Sequence, residues 1–542
     1  MSIVSSKYAI GIILFVCAFT HIGLAAVLRV PNEFASIGLA LSSCNRTDTV
    51  LIAQGRYEES VTIPDFFVTL AGEYLLTGDS NAVNATTVQA PVGSLSINAP
   101  DNPFADSLRI VGLRFIGELQ SGGISTGNRI LCVSNCKFDS IGGNGQGVFR
   151  ITNGAATLSN VVLSNITSGI GGIATIIHAS VVLQTVSVTN IDAGQSVFHL
   201  EDCSIEIRSL DFSNSGSPTL PKLFDIQGDA TLSLRRSSFR NSRVLAGFSV
   251  SQITSLVTLD CDSCVFDSIS CGFSFLERYS LWAENSTINF RDCVLSNFAV
   301  IEGYAFPYLL AVSAHAPSGG QIVRNLFLNN HTRQTSSIVA RFESPFQIER
   351  NYFLHNTTEG WLSAPGGPTM LTGNQPETFR ENIFIGNQGN AVDHFGSSDP
   401  GHAEHNYWGH ETGPHNRWSN PEALGDTVDT LIFYDPWEAD TMFLHPSGVN
   451  LRPVTFALGY PFPNPFNSSI TIEYALTRQQ DVRLTVFDVL GREVENLVDE
   501  KQGIGVHSIL WNAEGVASGV YFARLSTAES QNFQAVKLLL MK

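Results

Sequence analysis

Apolar and polar residues alternate in short runs along most of the chain. Residues 231–234 (Thr-Leu-Ser-Leu) and 257–260 (Val-Thr-Leu-Asp) are two such runs. Alternation in runs rich in Val, Ile, Phe, Ser and Thr predicts short β-strands. One pattern returns with little change, as Asn-Leu-Phe-Leu-Asn-Asn at 325–330, Asn-Tyr-Phe-Leu-His-Asn at 351–356 and Asn-Ile-Phe-Ile-Gly-Asn at 382–387.

Looser copies of this pattern place one apolar anchor residue in each unit. The anchors are Phe138, Leu163, Val188, Phe212, Phe239, Phe266, Leu295, Phe327, Phe353 and Phe384. Successive anchors lie 24 to 32 residues apart, and Phe115 and Trp408 extend the series at its two ends. A period of this length predicts a solenoid. Leucine-rich repeats need leucines at offsets that are missing here, and helical repeats need a period near 3.6, so we predict a parallel β-helix.

Stacking explains why each unit keeps the same residue types. Coils of a parallel β-helix lie about 4.8 Å apart, so equivalent residues lie above one another. The anchors should then form an apolar column inside, and turn asparagines should form a hydrogen-bonded ladder. Asparagine also tolerates the left-handed backbone of tight corners. The pattern resembles the right-handed β-helix family typified by pectate lyases and polygalacturonases, over roughly residues 27–440. This resemblance implies a fold rather than an activity.

Both ends of a solenoid must be covered, because an end coil exposes core and unpaired strand edges. At the first end, Asn32 is predicted to cap a short helix with Phe34, Ile37 and Leu41 on one face. At the last end, the residues predicted to form the cap are Asn406, Trp408, Trp418 and Trp437. The same segment is rich in His and Glu, which leaves a metal or catalytic site open as the alternative. Those residues are His402, Glu404, His405, His410, Glu411 and His415.

Residues 1–25 read as a secretory signal. Lys7 supplies the positive flank, residues 9–20 are apolar, and the small residues Gly23 and Ala25 occupy the −3 and −1 positions of a cleavage site. The apolar run is short for a membrane span, which disfavours an uncleaved anchor. We expect an exported chain with no transmembrane segment in its mature form. Eight cysteines then remain; Cys264 and Cys293 occupy equivalent slots and should stack as thiols or a disulfide, with zinc ligation as the alternative.

Charge and missing motifs limit the functions of the β-helix. The formal net charge is −18, which argues against nucleic-acid binding. The polygalacturonase motifs Asn-Thr-Asp, Asp-Asp, Gly-His-Gly and Arg-Ile-Lys are absent. Asp260, Asp262 and Asp292 form the best remaining acidic cluster and could hold calcium. Nearby Arg and Glu residues favour cross-coil ion pairs instead. We therefore expect binding or scaffolding, with a glycan or adhesion role; cleavage of an acidic extracellular polysaccharide is the alternative.

The repeat stops after a Pro-containing linker at 441–457, and six short strands follow within residues 458–542. They predict a small immunoglobulin-like β-sandwich. This region closely resembles the type A sorting domain of the type IX secretion system. The residues that carry the resemblance are Pro463, Asn464, Pro465, Phe466, Gly491, Gly519, Tyr521, Lys537 and Lys542. The resemblance implies passage through the periplasm and export by the type IX machinery, followed by release or attachment at the cell surface. A plain accessory domain is the alternative.

The expected organisation is a signal peptide at 1–25, a right-handed parallel β-helix with end caps at 26–440, a linker at 441–457 and a sorting β-sandwich at 458–542. The fold class is all-β.

Overall fold

A computed structural model describes most of the chain after residue 24. The described residues are 25–64, 66–89, 97–98, 107–118, 124–142, 147–168, 171–215, 221–244, 247–250, 256–271, 287–300, 310–313, 319–333, 339–342, 346–359, 370–372, 379–394, 401–440, 457–458, 461, 466–476, 479–503, 505–527 and 533–542. The predicted signal peptide and nearly all of the predicted linker lie outside them. So do Pro463, Asn464 and Pro465.

The predicted parallel β-helix is confirmed, with three faces per coil. The first face contains Val27–Val30, Thr49–Ile52, Val68–Gly72, Leu108–Val111, Ile130–Ser134, Val257–Asp262, Thr287–Arg291, Gly319–Val323, Phe346–Glu349 and Phe379–Arg380. The second face contains Gly55–Glu58, Thr86–Gln89, Arg114–Glu118, Lys137–Gly142, Ser238–Val244, Val265–Cys271, Val294–Ser296, Leu326–Leu328, Tyr352–Leu354 and Ile383–Ile385.

The third face contains Ile97–Asn98, Ile124–Thr126, Phe149–Thr152, Gly171–Ile177 and Phe248–Val250. Long strands turn the corners between faces: Ala155–Ser168, Ser180–Ala193, Ser196–Ser213 and Lys222–Arg235. A second parallel sheet comprises Leu310–Ser313, Val339–Phe342, Met370–Thr372, Asn390–His394, Gly425–Val428 and Pro414–His415. Short parallel strands complete the later coils. Ala299–Val300, His331–Arg333 and Thr357–Glu359 pair in succession, and Gly401–His402 pairs with Ile432–Phe433.

The anchor residues form one column inside the second face, as predicted. Consecutive anchors from Phe115 to Phe384 are direct register partners. The rings of Phe327 and Phe353 stack at 4.7 Å, and those of Phe353 and Phe384 at 4.8 Å. These separations match the spacing between coils, so in this part of the column each aromatic ring stacks on the next.

Each second-face strand from Arg114–Glu118 to Ile383–Ile385 is flanked or interrupted by two residues with left-handed backbone. They lie three positions before and two positions after the anchor, as Asn160 and Asn165 do around Leu163 with φ values of 52° and 55°. A third corner repeats the conformation at Asn153, His178 and Asp202. Asn and Asp tolerate this region better than most other residues, which explains the Asn-rich turns of the sequence.

The predicted ladder of turn asparagines occurs in part at the left-handed corners, where Asn160 donates to Asn135 at 3.2 Å and Asn190 to Asn165 at 3.1 Å. Its longer stretches are two buried columns beside those corners. Asn325, Asn351, Asn382 and Asn406 are fully buried two positions before their anchors. In each of the first three, the amide Nδ2 donates at 3.0 Å to Oδ1 of the next asparagine. It also donates to a backbone carbonyl, as Asn351 does to Ile322 at 2.7 Å. A second column contains Asn330, Asn356 and Asn387 and ends on Asp426.

The first coil is covered by a helix at Ile37–Ser43, and two short helices follow at Tyr74–Thr77 and Ser80–Ala85. The predicted cap at Asn32 is wrong. The helix begins later because the hydroxyl of Ser36 accepts a hydrogen bond from the Leu39 N–H at 3.1 Å. Ile37 and Leu41 are buried as predicted.

The C-terminal region has a hydrophobic core separate from that of the β-helix. One antiparallel sheet contains Ala457–Leu458, Ser469–Leu476 and Gly505–Asn512; the other contains Glu493–Gln502, Gln480–Asp488, Gly519–Thr527 and Phe533–Leu540. This arrangement is that expected of a small β-sandwich. Each of the six strands predicted from the sequence is present.

Candidate functional site

The predicted acidic cluster is engaged with arginines. Oδ1 of Asp260 lies 2.5 Å from Arg291 Nη2, in the next coil. Arg324 holds Asp292 through two hydrogen bonds, of 2.8 and 2.7 Å. Asp262 accepts a hydrogen bond from the Ser263 hydroxyl at 2.8 Å. The three carboxylates do not converge, because Asp260 and Asp262 lie on the first face while Asp292 occupies a left-handed corner. Calcium at these residues stays a prediction.

The corner that carries Asp292 continues as a column of charges. Arg350 pairs with Glu381 at 2.6 Å, and His405 lies 3.3 Å from Glu438. On the first face, Arg380 reaches Glu349 at 3.1 Å. Each pair joins residues of adjacent coils, so these charges link the stack.

The outer side of the second face becomes apolar in the later coils. We call this surface the second-face patch; it consists of Val265, Val294, Leu326, Leu328, Tyr352, Leu354, Ile383, Ile385 and Tyr407. Every member lies one position before or after an anchor, and successive strand residues point to opposite sides, so the patch faces away from the core. It forms a hydrophobic cluster distinct from that core. The buried members are Val265, Val294, Leu326, Leu354 and Ile383, and the partly buried ones are Leu328, Tyr352, Ile385 and Tyr407. The same columns carry Lys137, Ser187, Asp211 and Ser238, or Asp139, Ser164, Thr189 and Ser213, in earlier coils.

A pair of carboxylic acids lies near the last coil and was missed by the sequence analysis. Asp393 follows Val392, the last residue of Asn390–His394 that pairs with the adjacent strand, and Asp429 directly follows its partner Val428. Burial raises the pKa of Asp393 to about 6, and the hydrogen-bonded carboxyl of Asp429 adds to the rise. No sequence motif marked the pair, because 35 residues with an intervening cap separate its members.

The cap residues lie where the sequence analysis expected, with one exception. Asn406 ends the buried ladder, and Trp408 stacks on Phe384 at 5.0 Å. Trp437 packs against the β-helix core. Trp418 is 73% exposed, so its predicted sealing role is wrong. Its ring instead lies 5.1 Å from the Arg417 guanidinium.

The histidines of the cap do not gather around a common point. His402 contacts Glu404 at 2.8 Å, and His410 contacts Thr412 at 2.9 Å. Among the described residues, one group of possible metal ligands is close enough to share an ion. It consists of His178, Glu201 and Asp202 on another corner, whose ligand atoms lie within 4.8 Å of one another. His178 and Asp202 are exposed and 3.7 Å apart, which an ordinary surface ion pair explains.

Cys264 and Cys293 lie in adjacent coils and are buried, as their equivalent slots predicted. The structure has them as free thiols. Their sulfurs donate to different carbonyls, Cys264 to Leu234 at 3.4 Å and Cys293 to Cys261 at 3.5 Å. Burial raises the pKa of Cys293 well above its ordinary value, so this thiol is a poor nucleophile.

The described motif residues of the C-terminal domain hold its last strand in place. Phe466 is buried against Trp511 at 5.6 Å, and its backbone bonds Leu539 and Met541 on the final strand. The Tyr521 hydroxyl donates to the Ala517 carbonyl at 2.7 Å. Of the other motif residues, Gly491 has a left-handed backbone, Gly519 begins a strand and Lys537 is exposed. The backbone N–H of Lys542 donates to the Ser518 hydroxyl.

Comparison with protein families decides the nature of this domain. Residues 461–539 match the family described as "Secretion system C-terminal sorting domain". The C-terminal domain is a secretion sorting domain. It implies handling by the type IX secretion machinery, and it places the protein outside the cell or on its outer surface. Among the described residues, no helix is both long and apolar enough to cross a membrane.

Comparison with whole proteins adds little to what the sorting domain shows. No curated protein matches the chain. A solved structure, "Crystal structure of Dettilon tailspike protein (gp208)", aligns over 89% of this chain and 93% of its own, with 8% identity and a TM-score of 0.27. The fold follows from the strand register rather than from this distant likeness.

Proposed function

We propose that the protein is a surface-displayed or secreted rod whose β-helix binds or scaffolds components of the cell envelope. The observation that carries this proposal is the second-face patch, in which the half-buried Tyr352 and Tyr407 lie beside buried aliphatic residues on the outer side of a regular stack. Tyrosine has an apolar ring and a polar hydroxyl, and it is enriched at interaction sites. The cross-coil ion pairs and buried asparagine ladders support the rigidity that a display scaffold needs.

Glycans are the proposed ligands of the patch, because it contains tyrosines in a regular array. Tyr352 and Tyr407 belong to the same outer column, with Ile383 between them. Two coil spacings separate the two rings by about 10 Å. Both tyrosines are half-buried, so part of each side chain stays accessible to a ligand. Sugar rings of a polymer could stack on successive tyrosines along the rod axis.

Polysaccharide cleavage remains the alternative outcome, and the geometry of the acidic pair opposes it. Glycosidases place their two carboxyl groups about 5–9.5 Å apart, so that a sugar or water fits between them. Asp393 and Asp429 are hydrogen-bonded to each other and share one site. Asp260 and Asp292 are held by arginines. These pairs suit structural roles better than acid–base catalysis.

The test is incubation of the mature protein with a panel of envelope and matrix polysaccharides, with and without calcium. We expect at least one polysaccharide to retard the protein in affinity electrophoresis, without release of unsaturated products or reducing ends. Replacing both tyrosines (Tyr352→Ala with Tyr407→Ala) should weaken retention about tenfold, as for hot-spot aromatics. Val162→Ala is the matched control, because Val162 occupies the same outer column in an earlier coil and is 40% exposed.

Three results would contradict the proposal. Accumulating unsaturated products or reducing ends would establish an enzyme. Retention by none of the polysaccharides would exclude glycan binding. If Val162→Ala weakened retention by the polysaccharide as much as the tyrosine variant does, the second-face patch would not be the binding site.

A further inference from the structure

The sorting domain exposes more large apolar side chains than its length would predict. Seven of the seventeen such residues found among the described positions belong to it: Val489, Leu490, Val494, Leu510, Phe522, Phe533 and Met541. Six of these seven lie within residues 461–539, the span of the family match. Exposed apolar residues that cluster mark interaction sites, so their arrangement on the domain is informative.

Aromatic and basic residues gather on the outer side of the four-stranded sheet. We call this surface the sorting face; it consists of Phe487, Phe522, Arg524, Phe533 and Lys537. Phe522 lies directly between Phe487 and Lys537 across three neighbouring strands. The alternate residues of the same strands, Tyr521, Ala523 and Leu525 among them, enter the domain core. The sorting face is therefore the solvent side of a well-packed sheet.

Arg524 occupies the middle of the sorting face. Its guanidinium carbon lies 4.7 Å from the Phe487 ring centroid and 5.4 Å from that of Phe533. It forms no ion pair with any described carboxylate, whereas Arg483 pairs with Glu493 and Arg492 pairs with Asp488. Aromatic contact holds the flat guanidinium in place while its N–H donors stay available for a carboxylate.

We infer that the sorting face is the surface on which the type IX export machinery docks. The chemistry of the face requires a protein partner with an apolar surface and at least one carboxylate placed against Arg524. Charge supports this choice of partner: a chain of net charge −18 here presents cations among aromatic rings. Interfaces favour this composition, in which Arg and aromatic residues form the centre. The inference concerns export and is independent of the glycan role proposed for the β-helix.

The experiment follows export of the full-length chain in a host with an active type IX system. Arg524→Glu and Phe522→Ser are compared with the unaltered chain, and the protein is quantified in the periplasm, on the cell surface and in the medium. Each variant should lower the exported fraction about tenfold and accumulate in the periplasm, because removal of a central interface residue commonly costs that much binding. Arg524→Lys keeps the charge but loses the planar stack, so it should show an intermediate loss.

Leu510→Ser is the matched control, since Leu510 is 67% exposed on the other sheet of the same domain. Its export should stay within about twofold of the unaltered chain, as expected for residues outside the interface. Thermal unfolding of each purified full-length variant checks that the domain still folds. Normal export of Arg524→Glu and Phe522→Ser would overturn the inference. An equal loss with Leu510→Ser, or a loss explained by unfolding, would overturn it as well.

Discussion

Early and late coils of the β-helix solve the same packing problem with opposite chemistry. Two positions before the anchor, the early coils bury apolar residues: Val161, Val186 and Leu210. At the same position the late coils bury asparagines: Asn325, Asn351 and Asn382. One position before the anchor, the pattern reverses on the outer side. The early coils carry Val162, Ser187 and Asp211, and the late coils carry Leu326, Tyr352 and Ile383.

This inversion shows that a corner can be polar inside when its hydrogen bonds are satisfied by the next coil. A buried amide costs free energy only while its donors and acceptors lack partners. Each ladder asparagine finds them above and below, as Asn351 does with Asn325 and Asn382. Stability of the late coils then rests on register as well as on apolar burial, and their outer side carries a second, largely buried apolar cluster.

The largest effect is expected from the anchor column of the late coils. Phe353→Ala should lower the free energy of unfolding of the β-helix by about 3–5 kcal/mol, because a large buried ring is lost. Phe353 stacks on rings in both neighbouring coils. Val188→Ala, at the same position in an early coil without ring stacking, should cost less. Denaturant titration followed by circular dichroism measures both, and equal losses would contradict the difference between the coils.

A reciprocal swap tests the ladder itself. Asn351→Leu should destabilise the late coils by about 2–4 kcal/mol. The change leaves buried donors and carbonyls without hydrogen-bond partners, and each such group costs about 1–3 kcal/mol. Leucine is the natural residue at the equivalent position 210 of an early coil. Leu210→Asn should also destabilise, since a lone amide there has no ladder to join. The same titration would contradict the account if Asn351→Leu proved neutral or stabilising.

The two regions should also respond to pH in opposite directions. Burial alone would raise the pKa of Asp139 in an early coil, but hydrogen bonds from Ser164, Asn165 and Arg114 lower it to about 2. At the late end, burial raises the pKa of Asp426 to about 6 despite hydrogen bonds from Asn387 and Gly386. Both groups have an ordinary value of 3.8. Stabilisation by Asp139 is therefore lost as pH falls below 3.8 through 2, and that by Asp426 is lost as pH rises from 3.8 through 6.

Thermal unfolding between pH 2 and 8 measures these two contributions. Asp139→Asn should flatten the loss of stability on the acid side, and Asp426→Asn should flatten the loss between about pH 4 and 6. Each variant serves as the control for the other. Identical pH profiles for the two variants would show that their environments do not differ as described.

The smallest effect is expected from the exposed corner charges of the late coils. Arg350→Ala removes the pair with Glu381, in which the side chains are 44% and 32% exposed. An exposed pair contributes about 0–1 kcal/mol, so the thermal midpoint should hardly move, and added salt should reduce the change further. A loss as large as that of Asn351→Leu would mean that the corner charges, rather than the buried ladder, hold these coils together.

Much of the architecture could be predicted from the sequence because the repeat reports it directly. The anchors from Phe138 to Phe384 are register partners as expected, and the strands of the sorting domain follow from alternation and turns. Which asparagines form the buried ladder could not be predicted, because Asn351 and Asn329 occur in similar sequence contexts. Asn351 is buried, whereas Asn329 has a left-handed backbone.

Side-chain partners were harder to predict than strands. Asp262 and Asp292 precede their anchors by similar distances, yet one lies on a strand and the other at a corner. The Asp393–Asp429 pair depends on strand register across an intervening cap, which local patterns do not encode. The sorting face was hidden for the same reason, since Phe487, Phe522 and Lys537 meet only once three strands are paired.

A crystal structure of the mature protein tests the stacked register most directly. The account predicts the rings of Phe327, Phe353, Phe384 and Trp408 in a single interior file, with successive centroids 4.7, 4.8 and 5.0 Å apart. Rings dispersed over different parts of the core, or shifted so that these residues no longer face one another, would contradict it.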